Sequence, residues 1–258
     1  MKLFYRHYPS VKPSDKTIII LHGLFGSCDN WLTQAKILSQ EFNVYTIDQR
    51  NHGQSPHSDA FDYAVMADDL KEFITEHKIE NAIIIGHSMG GKTAMNFAMA
   101  HPALLSVLIV VDIAPRAYNL EHYTIVDGLN AVEINFLQSR QEADEQLSRY
   151  VPEADVRQFL LKNLQRKPEG GFTWKINLPV ISAKLSNVGV DLLYEGSFEK
   201  PSLFIKGNRS NYVKAADELQ IVKRFPLAKI VGMETGHWVQ AEQPQVFCDI
   251  VIQYLKSL

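Results

Sequence analysis

Ser88 stands in Gly86-His87-Ser88-Met89-Gly90, a Gly-x-Ser-x-Gly string with an apolar run, Ile83-Ile84-Ile85, before it and a helix-compatible segment, Lys92 to Met99, after it. A strand that turns sharply into a helix throws the middle side chain up at the apex. Glycines at minus two and plus two leave room for so close a turn. The exposed hydroxyl then lies at a helix N-terminus, where free N–H groups receive developing negative charge. Such a serine can attack an acyl carbonyl.

A serine hydroxyl is a weak nucleophile until a base takes its proton. Nine histidines are present. In a strand–elbow–helix arrangement the base follows the nucleophile in the chain, which leaves His101, His122 and His237. His101 falls at the far end of the helix that begins at Ser88, roughly 20 Å away at about 1.5 Å per residue. His122 opens a helical stretch and reads as a solvated helix residue. His237, in Gly236-His237-Trp238 after the last strand, is the expected base, since loops at the C-terminal ends of parallel strands are where sites form.

The base in turn needs an anion on its other nitrogen. The loop where one is usual, Gly207 to Val213, contains no carboxylate. Asp112, which ends the preceding strand, is therefore the expected acid. Asp217, inside a helix, is the runner-up, and Glu234 is placed on the last strand. For the oxyanion, the backbone N–H of Met89 is one expected donor and that of Leu24 the other, with Phe25 as the alternative. His22, Asp48 and Arg50 are expected to brace these loops. Cys28 lacks an elbow and reads as a small buried thiol. His22, His52, His57 and His87 scatter without ligand spacing, so no metal is expected.

The elements that must carry these residues alternate. Strands are expected over 3–8, 17–21, 42–47, 82–86, 105–111, 202–205 and 229–231. Helices are expected over 29–40, 63–77, 89–100, 213–224 and 244–256. Apolar runs without strict alternation argue for a mostly parallel sheet covered on both faces. The rhythm breaks over 116–196, which holds helical patches near 120–138, 140–150, 153–165 and 179–187 and a short β-like piece at 172–176. The expected organisation is an α/β core from 1–115 and 197–258, with 116–196 inserted as a helical cap.

The chain has 258 residues, 46% apolar and 21% charged, with 26 Lys+Arg against 29 Asp+Glu. That fits one soluble globular domain with an inserted lobe. A net charge of −3 without basic runs gives no reason to expect nucleic acid. Two cysteines, Cys28 and Cys248, make no disulfide framework and suggest a reducing, cytoplasmic setting. The first eight residues lack the apolar core of a signal peptide, and no run approaches a membrane span.

Taken together, His22-Gly23-Leu24-Phe25-Gly26-Ser27, Asp48-Gln49-Arg50-Asn51-His52-Gly53, the elbow with Gly91-Lys92, Val111-Asp112-Ile113-Ala114-Pro115 and Gly236-His237-Trp238 resemble the α/β-hydrolase superfamily. Within it they are similar to the bacterial YbfF-type esterases. The resemblance implies an eight-stranded, mostly parallel sheet with a helical cap. It also implies cofactor-free hydrolysis of carboxylic esters or thioesters, with a triad acid placed like Asp112. The expected substrate is a small molecule, a short- to medium-chain ester or acyl thioester, with Phe25 and Trp238 against its acyl chain. A monomer would suffice. A C–C bond hydrolase on the same triad, and a ligand-binding protein of this fold with little turnover, are the alternatives.

Overall fold

The computed structural model describes residues 1–119 and 122–258. The helical patch expected near 120–138 begins on two residues, Leu120 and Glu121, that lie outside those described.

The β-branched runs become strands. β1 (Tyr5–Tyr8), β2 (Thr17–Leu21), β3 (Asn43–Ile47), β4 (Ala82–His87), β5 (Leu105–Val111), β8 (Ser202–Gly207) and β9 (Ala228–Met233) form one sheet in the order β1-β3-β2-β4-β5-β8-β9. β1 runs antiparallel to β3, and every other pairing is parallel. The sheet thus has seven strands among the described residues, not eight. They are the seven that the apolar runs predict, with β1 as the antiparallel edge strand paired to β3; outside 116–196 no further run of strand pattern is present to add an eighth.

Alternate side chains of each strand go to opposite faces. Ile19, Leu21, Ile84, Leu108 and Val110 pack with Leu70 and Phe73 of α2 (Tyr63–Glu76) and with Met95 and Phe97 of α3 (Met89–Ala100). Ile18, Ile20, Ile83, Ile85, Ile109 and Val111 pack with Ala35 and Leu38 of α1 (Leu32–Leu38) and with Phe247 and Val251 of α10 (Pro244–Lys256). Two-sided burial explains why these strands read as continuous apolar runs. The helix expected over 29–40 is a 3-10 turn, Cys28–Trp31, leading into α1.

Between β5 and β8 the chain forms α4 (Tyr123–Ala131), α5 (Arg140–Leu147), α6 (Ala154–Leu161) and α7 (Leu178–Ala183). It also forms a small hairpin of β6 (Leu164–Arg166) and β7 (Phe172–Trp174). The hairpin corrects the expected helix over 153–165, which stops at Leu161; Leu164 and Phe172 turn inward and anchor the pair. These elements share an apolar cluster with Leu24, Phe25 and Met89 of the sheet's C-terminal loops. After β8 come α8 (Ala215–Arg224) and α9 (Val239–Glu242).

Candidate active site

The β4–α3 junction sets Ser88 at φ 52°, ψ −117°, a region that side chains other than glycine rarely enter. The two flanking glycines are sterically required. A Cβ at Gly86 would lie 2.2 Å from the Gly90 carbonyl oxygen, and one at Gly90 would lie 2.4 Å from that of Leu21. Met89 opens α3, so its N–H has no acceptor within the helix.

Ser88 and His237 line one cavity of about 400 Å³, together with Leu24, Phe25 and Trp238. His237 Nδ1 lies 2.8 Å from Asp112 Oδ2. Asp112 is fully buried and held in the left-handed region at φ 49°. Its Oδ1 accepts the Gly207 N–H at 2.9 Å, and Oδ2 also accepts the Ser210 hydroxyl. The Gly207–Val213 loop, which lacks an acid, thus supplies donors to one. Asp217 is engaged elsewhere: it pairs with Arg116 at 2.7 Å and accepts the Lys214 N–H. Glu234 lies just past the end of β9, exposed, and bonds Asn208. Arg209 turns outward to Glu242, so its charge does not oppose the His237 imidazole.

Phe25, at φ 61°, gives its N–H to His52 Nε2 at 3.1 Å. That bond leaves Leu24, of the two candidates, to point an N–H elsewhere. The bracing residues act through hydrogen bonds. His22 Nε2 accepts the Gln49 N–H at 2.9 Å, Asp48 accepts the N–H groups of Cys28 and Gln54, and Arg50 forks onto Asp69. Burial pushes the Cys28 thiol up to about 12, an inert group. Among the described residues no cluster of metal-ligating side chains occurs.

Three neighbours of His237 escaped sequence reasoning. Tyr212 stacks on its ring at 3.8 Å with the planes 17° apart. His87 Nε2 lies 2.9 Å from the His237 carbonyl oxygen and tethers that loop. His122, read from sequence as a solvated helix residue, instead lines the cavity. Contacts across the sheet of this kind carry no local signal in sequence. The apolar wall from α4 and α6, Ile125, Val156, Phe159 and Leu160, was equally unreadable residue by residue.

The buried histidines have a consequence for stability. Burial pushes His22 down to about 4 and His52 down to about 3. Above about pH 6.5 neither the folded nor the unfolded chain protonates them. Below that the unfolded chain takes up protons that the folded rings refuse, so the unfolded state gains about 1.4 kcal/mol per pH unit per ring. The melting temperature is expected to hold level from pH 8 to 7 and fall steadily from pH 6 to 4. His52→Gln should melt lower at pH 7 but with a shallower slope. A level melting temperature down to pH 4.5 would refute this.

Comparison with known proteins agrees with this fold. A family described as alpha/beta hydrolase fold matches residues 16–244. The chain is 38% identical over 247 residues to the sn-1-specific diacylglycerol lipase ABHD11 of Mus musculus, covering 92% of this chain and 80% of that one. It is 35% identical to Esterase YbfF of Escherichia coli (strain K12), covering 95% and 94%. A solved structure, a marine microorganism esterase, superposes with a TM-score of 0.94 at 42% identity, covering 98% of this chain and 99% of that one. By the fold, the elbow and these matches, the chain belongs to the alpha/beta hydrolase family.

Proposed function

We propose that the protein is a serine hydrolase of carboxylic esters, thioesters included. Ser88 attacks the acyl carbonyl, and His237 takes its proton and returns it to the leaving alcohol or thiol. Asp112 fixes the His237 tautomer and stabilises the imidazolium. The N–H groups of Met89 and Leu24 hold the oxyanion. Water, activated by the same His237, then releases the acyl-enzyme. The observation that carries this reading is the strained Ser88 sharing one cavity with a His237 that is bonded to a buried carboxylate. The similar proteins named above, esterases and a lipase, support it. Cys28 and Cys248, both free and buried, support a reducing compartment such as the cytoplasm.

Residues 116–196 act in this reading as a cap whose α6 closes the acyl pocket with Val156, Phe159 and Leu160. Phe159 also lies 5.5 Å, ring to ring, from Trp238. A cavity of about 400 Å³ suits a short to medium acyl chain. A series of acyl esters and acyl thioesters from two to twelve carbons, read as kcat/KM, tests both points. An optimum at four to eight carbons is expected, and Phe159→Ala should move it two or more carbons longer. Absence of turnover across the series would sink the hydrolase reading, whereas an unmoved optimum in Phe159→Ala would sink only the cap's role.

A further inference from the structure

An imidazole that relays a proton has to keep its plane while its partners change. In the acyl-enzyme Ser88 has no proton left to share with His237 Nε2. The ring is then held by the Nδ1 bond to Asp112 and by what packs on its face, and a quarter of the side chain is exposed. The Tyr212 ring covers one face, 3.8 Å away and 17° from parallel. What fixes Tyr212 therefore fixes the plane of His237. Both backbone polar groups of Tyr212 are anchored around Asp112. Its N–H donates to Ser210 Oγ at 3.2 Å, and Ser210 in turn donates to Asp112. Its carbonyl accepts the Tyr118 hydroxyl at 2.6 Å. That hydroxyl also accepts the N–H of Ala114, two residues past Asp112, at 2.8 Å. A phenol donates and accepts, so both bonds form at once. The Tyr118 ring is itself held, by the Arg116 guanidinium 3.9 Å from its centre and by a 2.7 Å bond from its N–H to the Gly189 carbonyl.

Resting on the ester-hydrolase reading, we propose that Tyr118 is a positioning residue for His237: its hydroxyl ties the turn after Asp112 to the Tyr212 carbonyl and so holds the Tyr212 ring against the imidazole. Acid, stacked ring and imidazole thereby keep one relation through attack on the ester and release of the acyl group. Without the hydroxyl, the buried Ala114 N–H loses its acceptor and the Tyr212 carbonyl loses the donor that Tyr118 gives it. The Ser210 anchor stays, so the stack loosens rather than dissolves. Misplacing a catalytic group by about an ångström costs up to about a hundredfold in rate. Both chemical steps use His237, so kcat and kcat/KM should fall together while KM holds.

The test follows hydrolysis of a chromogenic butyrate ester. Tyr118→Phe keeps the ring and is expected to lower kcat by about ten- to a hundredfold, with KM within about twofold. Tyr63→Phe is the control for losing a buried hydroxyl, since Tyr63 bonds the Val188 carbonyl at 2.7 Å. It should melt lower and keep kcat within about twofold. The proton between His237 Nδ1 and Asp112 gives a far-downfield proton NMR line, which a merely stabilising hydroxyl does not affect. That line should broaden in Tyr118→Phe and stay sharp in Tyr63→Phe, both held well below their melting temperatures. Tyr212→Leu should lose at least as much kcat as Tyr118→Phe. The double variant should fall no more than about twofold below Tyr212→Leu, because one residue acts through the other. An unimpaired kcat or an unchanged line in Tyr118→Phe, or losses that multiply in the double variant, overturns the proposal. Should Tyr118→Phe fail to fold, Tyr212→Leu carries the test, and wild-type kcat there overturns it. Any of these results with wild-type turnover intact removes this inference alone. No ester turnover by the wild-type protein removes the hydrolase reading, and this inference with it.

Discussion

Ser88→Ala is expected to lower kcat on a chromogenic butyrate ester by about four to six powers of ten without loss of fold. The substitution removes a single oxygen at a position whose backbone is already held by β4 below and α3 above. What remains is the oxyanion donors and the binding cavity, which give a small residual rate over water. A fluorophosphonate should label the wild-type protein once, at Ser88, and leave the variant unlabelled. Thermal melting within a few degrees of wild type would show that the loss is chemical. A variant that keeps more than about a tenth of the ester turnover would show that Ser88 is not the nucleophile.

The second large effect is expected from Asp112→Asn, and the hydrogen bonds around the carboxylate say why. Both of its oxygens only accept: Oδ1 from Gly207 N–H, Oδ2 from Ser210 and from His237. An amide has one acceptor end. If its oxygen keeps the Gly207 N–H, its NH₂ faces His237 Nδ1 and drives the imidazole into the tautomer with the proton on Nε2. That tautomer cannot take a proton from Ser88. If the amide turns over, the NH₂ meets the Gly207 N–H and leaves a buried donor unpaired. Asparagine tolerates the φ of 49° well, so the loop should keep its shape. A loss of at least two and up to about four powers of ten in kcat is expected. Asp217→Asn, which weakens the bond to Arg116, should cost stability and leave kcat within a few-fold. The reverse pattern, with Asp112→Asn active and Asp217→Asn dead, would reassign the acid.

Much of this was legible because the chemistry demands local sequence. The elbow needs its glycines within two residues of the serine, and the parallel strands need apolar runs on both faces. The choice of Asp112 came from the absence of any acid over 207–213, and the structure gives that loop a complementary task through Gly207 and Ser210. The preference for Leu24 over Phe25 rested on loop position, whereas the His52 bond to Phe25 N–H is a contact across 27 positions that spacing does not reveal. The position of His122 is hidden from sequence for a related reason. It precedes an amphipathic helix, and nothing local tells that Tyr212, 90 positions later, will come to meet it. The hydrophobic pattern predicts the seven strands of the main sheet, and the eighth is implied only by the resemblance.

The apolar cluster that joins the 116–196 segment to Leu24, Phe25 and Met89 bears on how such a protein can diverge. Asn163, just beyond α6, donates to the Phe25 carbonyl at 2.7 Å, and Asn177 bonds the Asn51 loop. The 116–196 segment is thereby stitched to the loop after β2, where the proposed oxyanion donor Leu24 lies. On the proposed reading, selectivity and rate are therefore not separate modules. A transplanted cap that alters Asn163 would shift the Leu24–Phe25 backbone, so a lineage exploring new substrates by wholesale cap replacement would first pass through poor catalysts. Point changes along the inner face of α6, which leave the stitch intact, are the open route to new acyl groups.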